Sequence, residues 1–292
     1  MVLAGCSTSA GPGDAGSGAG RVVPVVASIN AWGSILSQLG GSHVRATSLI
    51  VNPDTDPHDY EPTPKDAKAI AGARLFVENG IGYDSWASKA VAANPEPGRL
   101  VVNVGDVVGV PAGGNPHRWY SPADVAAVAD TISADLVRLD PADAAYFRGR
   151  RAEFATTGLA TYHQLIDKIR STYAGTPVGA SESIFAPLAE ALKLDLVTPP
   201  SFLKAVSEGT DPLVSDLRTV ATQVASHKIK LYVYNSQNAT PDVAAQVRAA
   251  RAAGIPVTTV TETLSPANAT FQQWQSTQLQ ALAAALHQAT GR

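Results

Sequence analysis

Cysteine is nearly missing from this 292-residue chain, which carries one, Cys6. A lone thiol excludes any intrachain disulfide and any zinc site built on several cysteines. Charge is scarce too, at 16% of residues, and neither sign dominates, with Lys+Arg at 22 against Asp+Glu at 25. Nucleic-acid binders show a basic excess or a basic stripe. The densest basic group here is Arg148, Arg150 and Arg151, which reads as the solvated face of a helix. Nucleic acid is therefore not an expected partner. No stretch from residue 21 onward is long and apolar enough to span a bilayer. No fixed-period repeat runs through the sequence, which excludes solenoids.

What is present is a large apolar fraction, 45% of residues, enough for a packed core. The length exceeds that of one ordinary domain and suggests two lobes. The one cysteine closes the run Leu3-Ala4-Gly5-Cys6, and a Ser/Gly/Ala-rich tract follows it to about residue 20. Small residues before a lone cysteine and a flexible polar tether behind it resemble a bacterial lipoprotein signal. Only five residues precede Cys6, so the basic and apolar segments of such a signal are not within the sequence. The expectation is a lipidated Cys6 that anchors the chain to the bilayer on the extracytoplasmic face. The alternative is a disordered leader with an incidental cysteine.

Beyond residue 20, short β-branched runs alternate with helical stretches, the pattern of parallel sheets built from βα units. Strands are predicted at 22–28, 46–51, 74–78 and 100–104, with helices at 31–39, 64–71 and 84–92. The second half repeats the style, with strands at 177–180, 194–198, 230–234 and 256–260. Its helices are predicted at 184–192, 213–226, 241–252 and 271–288. Between the halves, Asp140-Pro141 suits a helix start, and apolar residues recur near the helical period at Phe147, Phe154, Leu159, Tyr162, Ile166 and Ile169. Such a helix to residue 173 would run about 45–50 Å, long enough to span both lobes. The fold class expected is α/β: two lobes, each a parallel-rich sheet flanked by helices, joined by one long rigid helix. The domains would be a leader and tether (1–20), an N-terminal lobe (21–139), the linking helix (140–173) and a C-terminal lobe (174–292).

Candidate chemistry sits in four places, each just past a predicted strand. His58 lies in Asp56-Pro57-His58-Asp59-Tyr60-Glu61-Pro62, and His117 lies in Asn115-Pro116-His117-Arg118-Trp119-Tyr120-Ser121-Pro122. Glu182 follows strand 177–180, and Glu262 follows strand 256–260. Ligands of open parallel α/β sheets bind outside the carboxyl ends of the strands. Four groups able to ligate a metal, two from each half, thus fall where a cleft between lobes would form. Imidazole with carboxylate suits a divalent transition ion, and a carboxylate-rich set shifts preference from zinc toward manganese. Against this, a histidine in a loop is ordinarily a surface residue, and either glutamate could serve only to start the helix after it. The residues alone reach an inter-lobe metal site as one of two readings.

The two histidine segments resemble the motifs of the zinc/manganese solute-binding proteins of bacterial ABC importers. The resemblance covers nearly the whole chain from Val22 to the C-terminal helix. It implies capture of Mn²⁺ or Zn²⁺ between the lobes by His58 and His117, and delivery to a membrane permease with its ATPase. It also places Glu182 where manganese-type members carry glutamate and zinc-type members histidine. Two departures stand out. Pro187 replaces a usual aromatic, and Glu262 replaces a usual aspartate, one methylene longer. The His-rich loop of many zinc-type members is reduced to Pro111-Ala112-Gly113-Gly114. The resemblance implies a monomer that is not an enzyme. A metal hydrolase would need an open coordination position and a spare base, for which Glu61 is the nearest candidate. A surface adhesin on the same fold is the third reading. His43, His163, His227 and His287 have no motif around them and are expected to be surface residues.

Overall fold

The computed structural model describes residues 22–53, 55, 60–238 and 240–292. Eight strands form two four-stranded parallel sheets. The first holds β1 (Val23–Ile29), β2 (Val44–Ile50), β3 (Leu75–Glu78) and β4 (Leu100–Asn103) in the order β2-β1-β3-β4. The second holds β5 (Pro177–Ala180), β6 (Asp195–Leu196), β7 (Leu231–Asn235) and β8 (Val257–Val260) in the order β6-β5-β7-β8. The two halves therefore share one strand order, although their sequences show no repeat.

All eight predicted strands are present. The shortest, β6, covers less than the expected 194–198, although the Val197 N–H still donates to the Val178 carbonyl at 3.0 Å; Pro199 and Pro200, with no N–H to give to a ladder, follow and open the next helix. Gly179, in the middle of β5, has a packing reason. A Cβ there would lie 2.9 Å from Ile229 and 3.2 Å from the Tyr232 ring.

The helices of the first half are α1 (Asn30–Gly40), α2 (Pro64–Gly72), α3 (Ser85–Ala93), α4 (Val104–Val108) and α5 (Pro122–Leu139). The connector holds α6 (Ala144–Glu153) and α7 (Ala160–Tyr173), and the second half holds α8 (Ala186–Ala191), α9 (Pro200–Ser207), α10 (Val214–Ala225), α11 (Pro241–Ala252) and α12 (Phe271–Thr290). Three of these were not predicted as helices: α4, too short to show a period; α9; and the body of α5, of which only the Ser121-Pro122 start is visible in a motif. That start works as expected, for Ser121 caps the helix by accepting from the Asp124 N–H and Pro122 takes the first turn. The predicted helix 184–192 divides into a 3₁₀ turn, Ser183–Phe185, and α8, with Pro187 at a position that needs no N–H donor.

The connecting helix is present but not uniform. Pro141–Asp143 form a separate 3₁₀ turn, and Asp140 makes no side-chain cap. Between α6 and α7 the chain makes a π-helical turn at Phe154–Gly158, closed by the Leu159 N–H on the Phe154 carbonyl at 2.9 Å. Phe154 and Leu159 are both buried, and an α-helix would set residues at that spacing on different faces. The wider π turn lets both reach the core. Arg150 and Arg151 are tied down rather than merely solvated. Arg150 donates to the Gln38 carbonyl at 3.0 Å, and Arg151 pairs with Asp130 at 2.8 Å.

One apolar cluster runs unbroken through both halves. Val25 and Leu75 of the first sheet, Tyr162 and Ile166 of α7, Val178 and Leu231 of the second sheet, and Trp274 and Leu279 of α12 all belong to it. A smaller cluster, with Phe76 and Ile70, fills the other face of the first sheet. Among the described residues no helix is long and apolar enough to cross a membrane.

Candidate metal centre

His117 is carried by the loop between α4 and α5 and begins a 3₁₀ turn, Arg118–Tyr120. Its ring is buried, 1% exposed, with the Tyr83 and Trp119 rings edge-on at 6.1 and 5.4 Å between centroids. The loop is pinned at Asn79, just past β3, whose amide donates to the Pro116 carbonyl at 3.0 Å and accepts from the Trp32 indole at 2.9 Å. Asn115 fixes the ring itself, for its Oδ1 lies 2.8 Å from His117 Nδ1.

Tyr83 arrives through a tight turn, Gly80-Ile81-Gly82, in which all three residues have positive φ. Only glycine fits at position 80, where a Cβ would lie 2.2 Å from Asn103 Oδ1. The buried Asp84 carboxylate holds the turn by accepting the N–H groups of Asn79 at 2.7 Å and Gly80 at 2.8 Å. Burial nonetheless pushes the Asp84 pKa up.

The second half supplies the carboxylates. Glu262 follows β8, and its backbone N–H donates to Gln237 Oε1 at 2.8 Å. Its two oxygens face the first lobe: Oε2 accepts from the Tyr83 hydroxyl at 3.0 Å, and Oε1 lies 3.2 Å from His117 Nε2. Asn235, at the end of β7, donates to the same Oε1 at 3.2 Å. Glu182, just past β5, is buried; Asn238 donates to its Oε2 at 2.8 Å, while its Oε1 has no hydrogen-bond partner among the described residues. Its pKa is pushed up to about 7, chiefly by burial and then by the Glu262 charge, against the easing effect of His117 and the Asn235 and Asn238 amides.

The lobes also meet behind these groups. The Tyr120 hydroxyl lies 2.9 Å from the Thr261 carbonyl and 2.8 Å from Gln278 Oε1. The residue before Glu262 is thus bridged to the loop that carries His117. In front opens a cleft of about 590 Å³, lined from one lobe by Gly82 and Asn115 and from the other by Ser183, Ser207 and Asn238.

Of the predicted site residues, His117, Glu182 and Glu262 therefore come together at the strand ends of the two sheets. His58 and Cys6 lie outside the described residues, as does Asp59. What is described of the His58 loop is its exit, where Tyr60 donates to Asp66 at 2.7 Å and Thr63 forms a capping box with Asp66 at the start of α2. Glu61 is exposed. Among the described residues no group of three or more His, Cys, Asp or Glu side chains gathers closely enough to hold a metal ion. His117 touches Glu262, and Glu182 is within electrostatic reach of both.

Sequence reasoning missed Tyr83, Asn235 and Asn238, although each lies within a few residues of a strand end, the same signal that found the glutamates. His43 is not an idle surface residue, since it pairs with Asp143 at 2.6 Å and stacks on Tyr146. His163, His227 and His287 are exposed, as expected.

Two parallel α/β lobes with polar and ionisable groups meeting at the strand ends define a two-lobed binding protein. The chain belongs to the family described as "Zinc-uptake complex component A periplasmic", whose model matches residues 25–285. That is a family of uptake components, not of enzymes. Among its relatives, the manganese-binding lipoprotein MntA of Halalkalibacterium halodurans is 31% identical over 147 residues, 48% of either chain. The high-affinity zinc uptake system protein ZnuA of Bacillus subtilis is 24% identical over 218 residues, 67% of this chain and 65% of that one. These matches span about half to two thirds of the relatives' length. The fold is shared with a solved structure, that of the Mn-bound periplasmic metal binding protein from Candidatus Liberibacter asiaticus. It has a TM-score of 0.74 and 23% identity, over 90% of this chain and 98% of that one.

Proposed function

We propose that this chain captures a divalent transition-metal ion between its lobes and delivers it to a membrane ABC importer. His58, His117, Glu182 and Glu262 form the ligand set. The lobes that close on the ion are segments 21–139 and 174–292, joined through 140–173. One observation carries the reading: a buried carboxylate oxygen, Glu182 Oε1, stands without a hydrogen-bond partner among the described residues, beside a His117–Glu262 pair. A buried carboxyl oxygen left unmet is costly, and a cation shared with His117 and Glu262 would meet it and favour the ionised form.

Donor chemistry supports the choice of ion. Two carboxylates make a harder set than a histidine-rich one and favour manganese, while intrinsic affinity still places zinc above manganese at any one site. Relatives named for manganese, zinc and iron are all found in the family. Manganese is the proposed cargo, with zinc binding tightly as well. A Cys6 lipid anchor on the extracytoplasmic face, with the ABC permease and its ATPase as partners, completes the proposal.

The test is a titration of the chelator-stripped full chain with Mn²⁺ and Zn²⁺ in separate runs. One tight site is expected, lost in His117→Ala and in His58→Ala. Stoichiometric binding of neither ion would refute metal capture.

A further inference from the structure

The sheet order of the second half sets β7 between β5 and β8. Residues that follow β7 must therefore lie between the strand ends that carry Glu182 and Glu262. Those residues are Asn235-Ser236-Gln237-Asn238, a turn closed by the Asn238 N–H on the Asn235 carbonyl at 3.3 Å. Three of the four carry carboxamides, and each is engaged on one flank or the other.

Gln237 holds the Glu262 side. Its Oε1 accepts the backbone N–H of Glu262 at 2.8 Å and of Thr263 at 3.0 Å, and its Nε2 donates to Thr263 Oγ1 at 2.9 Å. Backbone N–H groups can only donate, so the orientation of this amide is fixed. Asn235 is fixed in the same way: its Oδ1 accepts the Gln237 N–H at 2.9 Å, which leaves Nδ2 for Glu262 Oε1 at 3.2 Å. On the other flank, Asn238 Nδ2 donates to Glu182 Oε2 at 2.8 Å, and the Asn235 N–H donates to Ser181 Oγ at 3.2 Å. The two carboxyl groups cannot draw together or part without breaking bonds to this turn. All the groups that hold them are neutral. A lysine or arginine could hold carboxylates as firmly, but its charge would oppose a cation between them.

We propose that the 235–238 turn determines ion specificity, with Gln237 as the positioning residue that sets where Glu262 stands relative to Glu182. This rests on the reading of both glutamates as metal ligands. Any one set of ligands binds zinc over manganese, and selectivity against that order has to come from geometry and ligand type. Zinc gains most from a tetrahedral shell, whereas manganese suits oxygens set octahedrally. A turn that keeps the carboxylates at a set spacing denies zinc the rearrangement it favours and leaves manganese less affected.

The test titrates the metal-stripped full chain with Mn²⁺ and Zn²⁺ in separate runs against a competing chelator, for the wild type, Gln237→Ala, Gln237→Glu and Asn238→Ala. Gln237→Ala frees the 262–263 backbone and is expected to lose about thirtyfold in Mn²⁺ affinity and about threefold in Zn²⁺ affinity, so the zinc/manganese ratio rises about tenfold. Gln237→Glu keeps acceptor oxygens for the same two N–H groups, and the Thr263 hydroxyl can turn to donate to it. Its added charge favours both divalent ions alike, so the ratio is expected to return to within about twofold of wild type. A general loosening of the fold would weaken both ions together and leave the ratio alone. Asn238→Ala frees Glu182 instead and should raise the ratio in the same direction, which keeps the proposal testable if Gln237→Ala does not fold. A wild-type ratio in the folded alanine variants would overturn the proposal, as would a Gln237→Glu ratio raised as far as that of Gln237→Ala. A wild type that binds neither ion would sink the reading of the site, and this proposal with it.

Discussion

Glu182→Gln should make the metal-stripped protein more stable above neutral pH. An unfolded glutamate ionises near 4.5, whereas in the folded chain burial and the Glu262 charge hold the proton on Glu182 up to about 7. Below pH 4.5 both states are protonated and the group contributes nothing. Between 4.5 and 7 the folded state keeps a proton that the unfolded state has lost, so stability falls as pH rises. Above 7 the full cost is present, and at about 1.4 kcal/mol per pH unit it comes to about 3 kcal/mol. Glutamine keeps the shape and an oxygen for Asn238 but cannot ionise. In urea unfolding with constant slope, the wild type should lose about 3 kcal/mol between pH 4 and pH 8 relative to the variant. The two should have similar midpoints at the acid end. Saturating Mn²⁺ at pH 8 should raise the wild-type midpoint and leave that of Glu182→Gln nearly unmoved. Parallel pH profiles for the two proteins would refute the reasoning, because they would mean that the fold does not oppose the Glu182 charge.

Tyr83→Phe removes the hydroxyl that holds Glu262 Oε2 but leaves the ring against Trp119. It should weaken metal binding about tenfold in a competition titration, as expected for one hydrogen bond to a charged group, with little change in melting temperature. Metal affinity should also fall on acidification from about pH 7, where Glu182 takes up its proton, by about tenfold per pH unit for each ligand proton displaced. Isothermal titration across that range would show it, and a flat profile would exclude Glu182 as a ligand.

Much of this was legible in the chain. Strands rich in β-branched residues gave their positions away, and the rule that parallel sheets bind at their carboxyl ends accounts for where His117, Glu182 and Glu262 fall. The supporting shell was harder to see. Asn235 and Asn238 matter because they aim at carboxylates from across a strand end, and an isolated asparagine carries no periodic signal. Tyr83 looks like an ordinary core aromatic until the positive-φ turn before it is known to deliver its hydroxyl across the cleft. The π turn at Phe154–Gly158 escaped because apolar spacing near the helical period is the same cue for an unbroken helix. Arg150 and Arg151 were misplaced for a related reason, since their guanidiniums reach back over α1 and α5 while their position on the helix reads as solvent-facing.

The shared strand order has one more consequence, which concerns the electric field of the backbone. In both halves a helical segment begins within a few residues of a candidate site residue. α1 starts directly after β1, α5 starts soon after His117, and the 3₁₀ turn leading into α8 starts directly after Glu182. Helix starts carry partial positive charge, favourable to anions and unfavourable to a bare cation. The backbone field therefore favours the carboxylates, and on the proposed reading a cation is accepted only through them. On the proposed reading, neutralising either glutamate would leave peptide dipoles that oppose a cation at the centre.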